Sequence, residues 1–122
     1  MKTAYISHPV CQEHDTGEWH PESSRRLTAI NDRLLISHLY DFLQHIDAPE
    51  VSMEQLERVH PRSYIDKVLA SVPESGYAHL DPDTVISPKS IEAAKRAAGA
   101  AVKAVDMIMD KQVENAFCAV RP

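Results

Sequence analysis

Four side chains of types that bind metals lie near the amino terminus: His8, Cys11, His14 and His20. Imidazole and thiolate are ligands that zinc prefers, so this group is the first candidate for a metal centre. Their spacing matches no standard zinc motif, however. Histidines in polar loops more commonly face solvent or brace the loop, and we expect that role for these.

Patterns for covalent catalysis and for phosphate binding are absent from the sequence. No serine lies in a Gly-x-Ser-x-Gly elbow, and the three glycines are isolated, so no glycine-rich phosphate loop can form. The net charge is -5 and no basic stripe is present, which argues against direct binding of nucleic acid. Spacing alone therefore supports no catalysis within these residues.

Two carboxylates, Asp81 and Asp83, flank a proline just before a predicted helix. They can shape the turn and stabilise the helix N-terminus, or one of them can face a pocket and accept hydrogen bonds from the amides of a ligand. Arg25 and Arg26 can be solvated surface charges. An arginine turned inward would need a paired acceptor or a polar channel to offset its desolvation. The residue pattern leaves these alternatives open.

Helices and short strands alternate along the chain, which predicts an α/β layered domain. Ser52 and Gln55 have the spacing of a capping box, and Ser87-Pro88 predicts a helix start capped by the serine hydroxyl. Strands are predicted over residues 3–7, 42–46 and 116–120, and helices from 21 or 24 to 38, over 53–59, from 62 to the stop at Pro73, and over 88–110.

The helix over residues 88–110 is rich in alanine, and its apolar residues recur at spacings of three and four. We therefore expect one narrow buried stripe and close packing against the neighbouring element. The stripe comprises Ala94, Ala97, Ala98, Ala101, Val102, Val105, Ile108 and Met109. The following run, residues 116–120, lacks polar alternation, which predicts a strand buried on both faces of a parallel sheet.

A length of 122 residues corresponds to about one domain, and 43% hydrophobic residues is ordinary for a soluble protein. Cys11 and Cys118 are too few and too distant for a disulfide framework, which favours a reducing compartment. The sequence lacks the apolar core of a signal peptide and any stretch of transmembrane length, so we expect a cytoplasmic protein with no membrane partner. Because the chain stops just after a predicted buried strand, we also expect a longer parent.

An ordered set of short motifs resembles the histone deacetylase and acetylpolyamine amidohydrolase family, in its class II-like branch. Each motif alone is weak, whereas the ordered set is specific and covers nearly the whole chain. The motifs are His14-Asp15-Thr16-Gly17, His20-Pro21-Glu22, Arg26-Leu27, Val59-His60 with Tyr64, Asp81-Pro82-Asp83-Thr84 with Ser87-Pro88, Ala97-Ala98-Gly99-Ala100, and Ala119-Val120-Arg121-Pro122.

This resemblance implies a three-layer α-β-α fold with a mostly parallel sheet, and residues 1–122 would be the amino-terminal part of a single deacetylase-like domain. It also implies zinc-dependent hydrolysis of an acetyl amide on lysine or on a polyamine. In the family, tandem histidines and then the zinc ligands follow the Arg-Pro motif. We therefore expect zinc only in the parent enzyme, and this chain alone to lack a cofactor, catalytic residues and activity.

The resemblance also implies roles for three residues at the substrate site. Asp83 matches the rim aspartate that holds the substrate backbone. Arg26 matches an arginine that lines the internal channel beneath the zinc, and His20 matches a loop histidine near the pocket mouth. We expect these three residues to bind substrate.

The family fold would place three strands side by side and leave residues 116–120 at an unpaired edge. We therefore expect the chain to associate with itself, by edge pairing or by exchange of an element. Two other interpretations stay open. A non-catalytic interaction domain would use this edge and the alanine-rich helix to bind a partner, whereas an arginase-like hydrolase would share the general fold.

Overall fold

The computed structural model describes residues 2–122, which form five strands and four α-helices. In chain order these are β1 (Thr3–Ser7), α1 (Arg25–Ile36), β2 (Gln44–Asp47), α2 (Met53–Glu57), α3 (Arg62–Ala70), β3 (Ala78–Asp81), β4 (Thr84–Ile86), α4 (Ser90–Met109) and β5 (Asn115–Ala119). Short 3₁₀ helices, Pro9–Glu13 and Tyr40–Phe42, precede α1 and β2. No helix in residues 2–122 is both long enough and apolar enough to cross a bilayer.

Strand β1 is the centre of a three-stranded parallel sheet with the order β2-β1-β5. Ile6 pairs with Ile46 on one side and with Cys118 on the other. Because the three strands are parallel, their carboxyl ends meet at one edge of the sheet, where ligand sites of open α/β sheets are usually found. This edge is therefore where the structure brings distant parts of the chain together.

The sheet separates α1 from α4, and each helix covers one face. The α4 side buries Ala4, Ile6, Ala48, Ala100, Ala104, Met107 and Val113. The α1 side buries Tyr5, Cys11, Leu27 and Ala119. Since strand side chains alternate, the neighbours Tyr5 and Ile6 belong to opposite layers, and burial of a side chain such as Ile6 stabilises the fold by about 1.5–3 kcal/mol. The expected three-layer α-β-α fold is confirmed.

Helix α4 lies very close to the chain that follows β2. A Cβ atom added at Gly99 would lie 1.8 Å from the carbonyl oxygen of Pro49, so only glycine fits at this position. The Val51 amide donates to the Lys95 carbonyl at 3.0 Å, and Arg96 donates to the Ala48 carbonyl at 3.0 Å. The close packing predicted for this helix is confirmed.

The predicted stripe on α4 is wrong by about one position. Ala101, Val105 and Met109 are exposed, as is Ile108, whereas the buried face contains Ser90, Ala93, Gly99, Ala100, Ala104 and Met107. At Gly99 the backbone of Pro49 leaves no room for a side chain, so this face of the helix must be the one that turns inward. Because alanines lie on several faces of this helix, the spacing of apolar residues did not identify which face is buried.

Three further local predictions need correction. Strands β3 and β4 form an antiparallel hairpin around the turn that contains Asp81 and Asp83, and neither strand was predicted. Helix α4 begins at Ser90, and the Ser87 hydroxyl accepts from the Asp15 amide at 3.0 Å instead of capping the helix. Phe117 of β5 is 48% exposed, because β5 is an edge strand within residues 2–122 and is not buried on both faces.

The predicted capping box at the start of α2 is confirmed. The Ser52 hydroxyl accepts from the Gln55 amide at 3.1 Å, and the Gln55 side chain accepts from the Ser52 amide at 2.9 Å. Each bond satisfies an amide that the helix itself leaves unpaired.

Candidate functional site

The loop of residues 8–24 surrounds Arg121. This arginine is the second residue after the end of β5 and is only 1% exposed. Its Nε and Nη2 atoms donate to the two Glu22 carboxylate oxygens at 2.8 and 2.6 Å, a bidentate pair. Nη1 donates to the carbonyls of Cys11 and His14 at 2.8 and 2.5 Å. The buried cation therefore has both a counter-charge and hydrogen-bond acceptors, as burial of a charge requires.

His14 lies beside this ion pair and is 4% exposed. Its Nδ1 is 2.7 Å from the Ser90 hydroxyl, and its Nε2 is 3.8 Å from the Glu22 carboxylate. Burial, together with the positive charge of Arg121, lowers the pKa of His14 below 6.5, so its neutral form is favoured. The hydrogen bonds from Arg121 hold the pKa of Glu22 below 4.5 despite its partial burial.

Ser90, His14 and Glu22 form a series that resembles a catalytic triad in residue type. Ser90 is 1% exposed, however, and its hydroxyl accepts from the Ser87 amide at 2.7 Å. Glu22 is held by Arg121. A substrate could not reach the serine, so this series fixes the loop on the amino-terminal end of α4.

Asp15 ties the loop to both ends of the β3–β4 hairpin. Its carboxylate accepts from the Tyr77 hydroxyl at 2.9 Å and from the Gly17 amide at 2.9 Å. The bond from Gly17 first, and that from Tyr77 second, hold the pKa of Asp15 below 3.8. Because Ser87 accepts the Asp15 amide, the loop contacts the chain before β3 and after β4.

His20 makes a third contact, at the tip of the hairpin. Its Nε2 is 2.8 Å from the carbonyl oxygen of Asp83, and its Nδ1 accepts from the Glu22 amide at 3.1 Å. The neighbouring Trp19 is 95% exposed, so the outer face of the loop is open to solvent. The structure thus brings together two of the three predicted site residues, although through the main chain of Asp83.

The two aspartates of the turn have different surroundings. The Asp81 carboxylate accepts from the Thr84 hydroxyl and from the Asp83 amide, both at 2.9 Å, and these bonds lower the pKa of Asp81 below 3.8. Asp81 therefore shapes the turn, which was one of the two alternatives left open. The Asp83 carboxylate is exposed and has no hydrogen-bond or ion-pair partner among residues 2–122, so it is available to a ligand.

Arg26, the second residue of α1, is exposed and donates through Nη2 to the Val120 carbonyl at 2.9 Å. Val120 adjoins Arg121, so Arg26 joins the same network from its other side. An open depression of about 910 Å³ along the loop is lined by His20 but by neither Arg26 nor Asp83. A hydrogen bond joins His20 to Asp83, Arg26 is linked to them only through the chain at Val120 and Arg121, and the roles of all three in substrate binding stay predictions.

The residues that the structure describes do not fit the zinc site that the resemblance implies. Within residues 2–122, no three His, Cys, Asp or Glu side chains are arranged to hold a metal ion. The four candidates of the amino-terminal loop do not converge on one point: His8 accepts from the Val10 amide at 3.1 Å, Cys11 is fully buried, and His14 and His20 contact Ser90 and Asp83. No chemical step can be assigned to a metal held by this segment.

Comparison with known proteins decides the family. The family described as "Histone deacetylase domain" matches residues 20–122. The chain belongs to this family. The histone deacetylase-like amidohydrolase of Pseudomonas aeruginosa is 37% identical over 102 residues, which cover 84% of this chain and 26% of that protein. Type-2 histone deacetylase 2 of Dictyostelium discoideum is 30% identical over 152 residues, which cover 100% of this chain and 9% of that protein.

The histone deacetylase fold is also evident from a solved structure. The crystal structure of the HDA15 HD domain superposes with a TM-score of 0.91 at 28% sequence identity, over 99% of this chain and 35% of that one. The chain thus spans about a third of this structure and smaller shares of the two relatives. The predicted family and fold are confirmed, and relatives named deacetylase or amidohydrolase make it a hydrolase family.

Sequence reasoning missed the buried centre of this site, although Glu22 and Arg121 lie in motifs that carried the resemblance. The requirement stated for an inward-facing arginine, a paired acceptor, is met by Arg121 with Glu22. That requirement was applied only to Arg25 and Arg26, which are the first two residues of α1. An arginine directly after an apolar strand was the available signal.

Proposed function

We propose that residues 1–122 are the amino-terminal part of a zinc-dependent deacetylase, an amide hydrolase that acts on acetyl-lysine or on acetylated polyamines. The family and the TM-score of 0.91 to the HDA15 HD domain support this proposal. In it, this part supplies the rim and wall of the substrate pocket. The zinc ligands and the histidines that move protons would come from the rest of the parent, and no residue of this chain would be catalytic.

The observation that carries the proposed rim function is the free Asp83 carboxylate on a turn that the loop holds in place. A carboxylate accepts strongly from the amide N–H groups of a substrate backbone. Arg26 is held near the carboxyl end of β5, the edge where α/β sheets bind ligands. A binding role for Asp83, Arg26 and His20 without chemistry is consistent with these positions.

The rim function is tested by Asp83→Asn in a longer protein that contains residues 1–122 and deacetylates a fluorogenic acetyl-lysine substrate. Loss of a charged hydrogen bond should lower kcat/KM about 10- to 100-fold, mainly through KM. Asp106→Asn, an exposed aspartate on α4, is the matched control and should retain full activity. Equal activity of the two variants would mean that the Asp83 carboxylate does not bind substrate.

The division of labour is tested on the 122-residue chain itself. We expect no stoichiometric zinc by elemental analysis after dialysis, and no turnover of acetyl-lysine or acetylated polyamine. Bound zinc together with turnover would contradict the assignment of catalysis to the rest of the parent.

Self-association of this chain is also proposed, through the open edge of β5. Phe117 on this strand is 48% exposed, and exposed strand edges recruit further strands. Phe117→Lys should shift the mass measured by light scattering toward the monomer. Phe42→Lys, at an exposed phenylalanine outside the strands, should leave it unchanged. A monomeric mass for the unmodified chain across the micromolar range would contradict self-association.

A further inference from the structure

Both ring nitrogens of His20 are engaged, and their partners define which nitrogen carries the proton in the neutral ring. The Glu22 amide can only donate, so Nδ1, at 3.1 Å, must be an acceptor and carry no proton. The Asp83 carbonyl can only accept, so Nε2, at 2.8 Å, must carry the proton. Of the two neutral tautomers, the one with its proton on Nε2 satisfies both partners.

Among residues 2–122, His20 makes the one hydrogen bond that joins the Asp81–Thr84 turn to a segment outside the hairpin. The bonds to Asp81 set the shape of the turn but attach it to nothing else. Strands β3 and β4 have four and three residues and pair only with each other, and such a two-stranded hairpin is marginally stable alone. Burial of Val85 and Ile86 and the contacts through Tyr77 and Ser87 hold the rest of the hairpin. His20 holds its tip.

We infer that His20 is a positioning residue for the rim. Its Nε2–H group holds the Asp83 carbonyl, and Glu22, which supplies the amide that orients the ring, connects it to the buried Arg121. The binding role proposed above for His20 is then indirect: it affects substrate binding through the location of the Asp83 carboxylate, without contacting the substrate. This inference rests on the proposed function for the role of Asp83, but the contact itself exists independently of that role.

Two substitutions separate the two bonds of the imidazole. In His20→Gln the amide nitrogen occupies the position of Nε2 and can still donate to the Asp83 carbonyl. In His20→Asn the side-chain oxygen occupies the position of Nδ1 and can still accept from the Glu22 amide, but nothing reaches Asp83. The pair is closely matched, because both side chains are neutral amides.

The experiment is NMR spectroscopy of the 122-residue chain. The ring nitrogen shifts of His20 should show the form protonated on Nε2. The carbonyl carbon shift of Asp83 should move upfield in His20→Asn, because that carbonyl loses its hydrogen bond from the ring. It should be nearly unchanged in His20→Gln. A ring protonated on Nδ1, or the same carbonyl shift in both variants, would overturn the inference.

A double-mutant cycle in the longer deacetylating protein distinguishes the inference from the proposed function. If His20 acts through Asp83, His20→Asn should raise KM when Asp83 is present. The same substitution should cause no further rise in a protein that already carries Asp83→Asn. Additive effects would mean direct substrate contact by His20 and would overturn the inference. If Asp83→Asn has no effect while the NMR results hold, the proposed rim function fails and the positioning contact stands.

Discussion

The loop of residues 8–24 has less regular secondary structure than the segment of residues 52–72, here called the arm, but more of its residues are buried. The loop is mostly irregular, yet it contains the buried residues Val10, Cys11 and His14. The arm contains α2 and α3, yet Ile65 is the one buried residue in its range. Regular secondary structure is therefore a poor measure of how firmly a segment of this protein is held.

The same type of ion pair appears in both regions and should contribute differently. The pair of Arg121 and Glu22 has side chains 1% and 31% exposed, whereas that of Arg62 and Glu57 has side chains 59% and 40% exposed. Water screens the charges of the exposed pair, and water molecules can replace its hydrogen bonds. If Glu22 is removed, the buried guanidinium has no counter-charge and little access to water.

The largest expected effect is therefore that of Glu22→Ala, which should lower the free energy of unfolding by about 3 kcal/mol or more. Glu57→Ala, the same substitution in the arm, should leave the urea midpoint unchanged within error. Urea unfolding followed by circular dichroism measures both. Similar losses for the two variants would remove the distinction between the regions.

Acidification should also act mainly on the loop. The pKa of His14 in the folded chain lies below 6.5, so the unfolded chain takes up the proton first and the free energy of unfolding falls as the pH drops below that value. The pKa of Glu22 lies below 4.5, which adds a second fall at lower pH. The contributions of both groups are present at neutral pH and are lost in acid.

Urea unfolding at a series of pH values tests this prediction. His14→Asn keeps a side-chain partner for Ser90 but cannot titrate, so its unfolding free energy should change less than that of the original chain between about pH 7 and 5. A chain that becomes more stable on acidification in this range would contradict the assignment to His14.

The smallest effect is expected at the border of the loop, for Tyr77→Phe. Loss of the hydroxyl should raise the pKa of Asp15 toward 3.8, but not fully, because the bond from the Gly17 amide remains and is the larger cause of the shift. An NMR titration of the Asp15 carboxyl carbon measures this change. Tyr64→Phe, in the arm, is the control, and an equal response to both variants would mean that Tyr77 does not bind Asp15.

Local signals in the sequence predicted much of the fold. The capping box at Ser52, the strand over residues 3–7 and the long alanine-rich helix all depend on neighbouring residues, and all are present. The inner face of that helix could not be predicted, because Ala93 and Ala101 look equivalent until the close approach at Pro49 is known.

The candidate site was harder to predict than the fold because its contacts are distant in sequence. Family motifs identified His20, Asp83 and Arg26, but not that His20 contacts Asp83 across 63 residues. Glu22 and Arg121 are 99 residues apart, and nothing near either residue shows that they pair. Arg121 is the buried arginine because the loop of residues 8–24 packs against the end of β5.

The burial of Arg121 has a consequence for the order in which the molecule forms during synthesis. The loop of residues 8–24 emerges early from the ribosome, but the cation that neutralises Glu22 and binds the carbonyls of Cys11 and His14 is made about a hundred residues later. Contacts across such separations form slowly, since the ends of a long segment must first meet. The nascent loop therefore stays incompletely folded until Arg121 has been made.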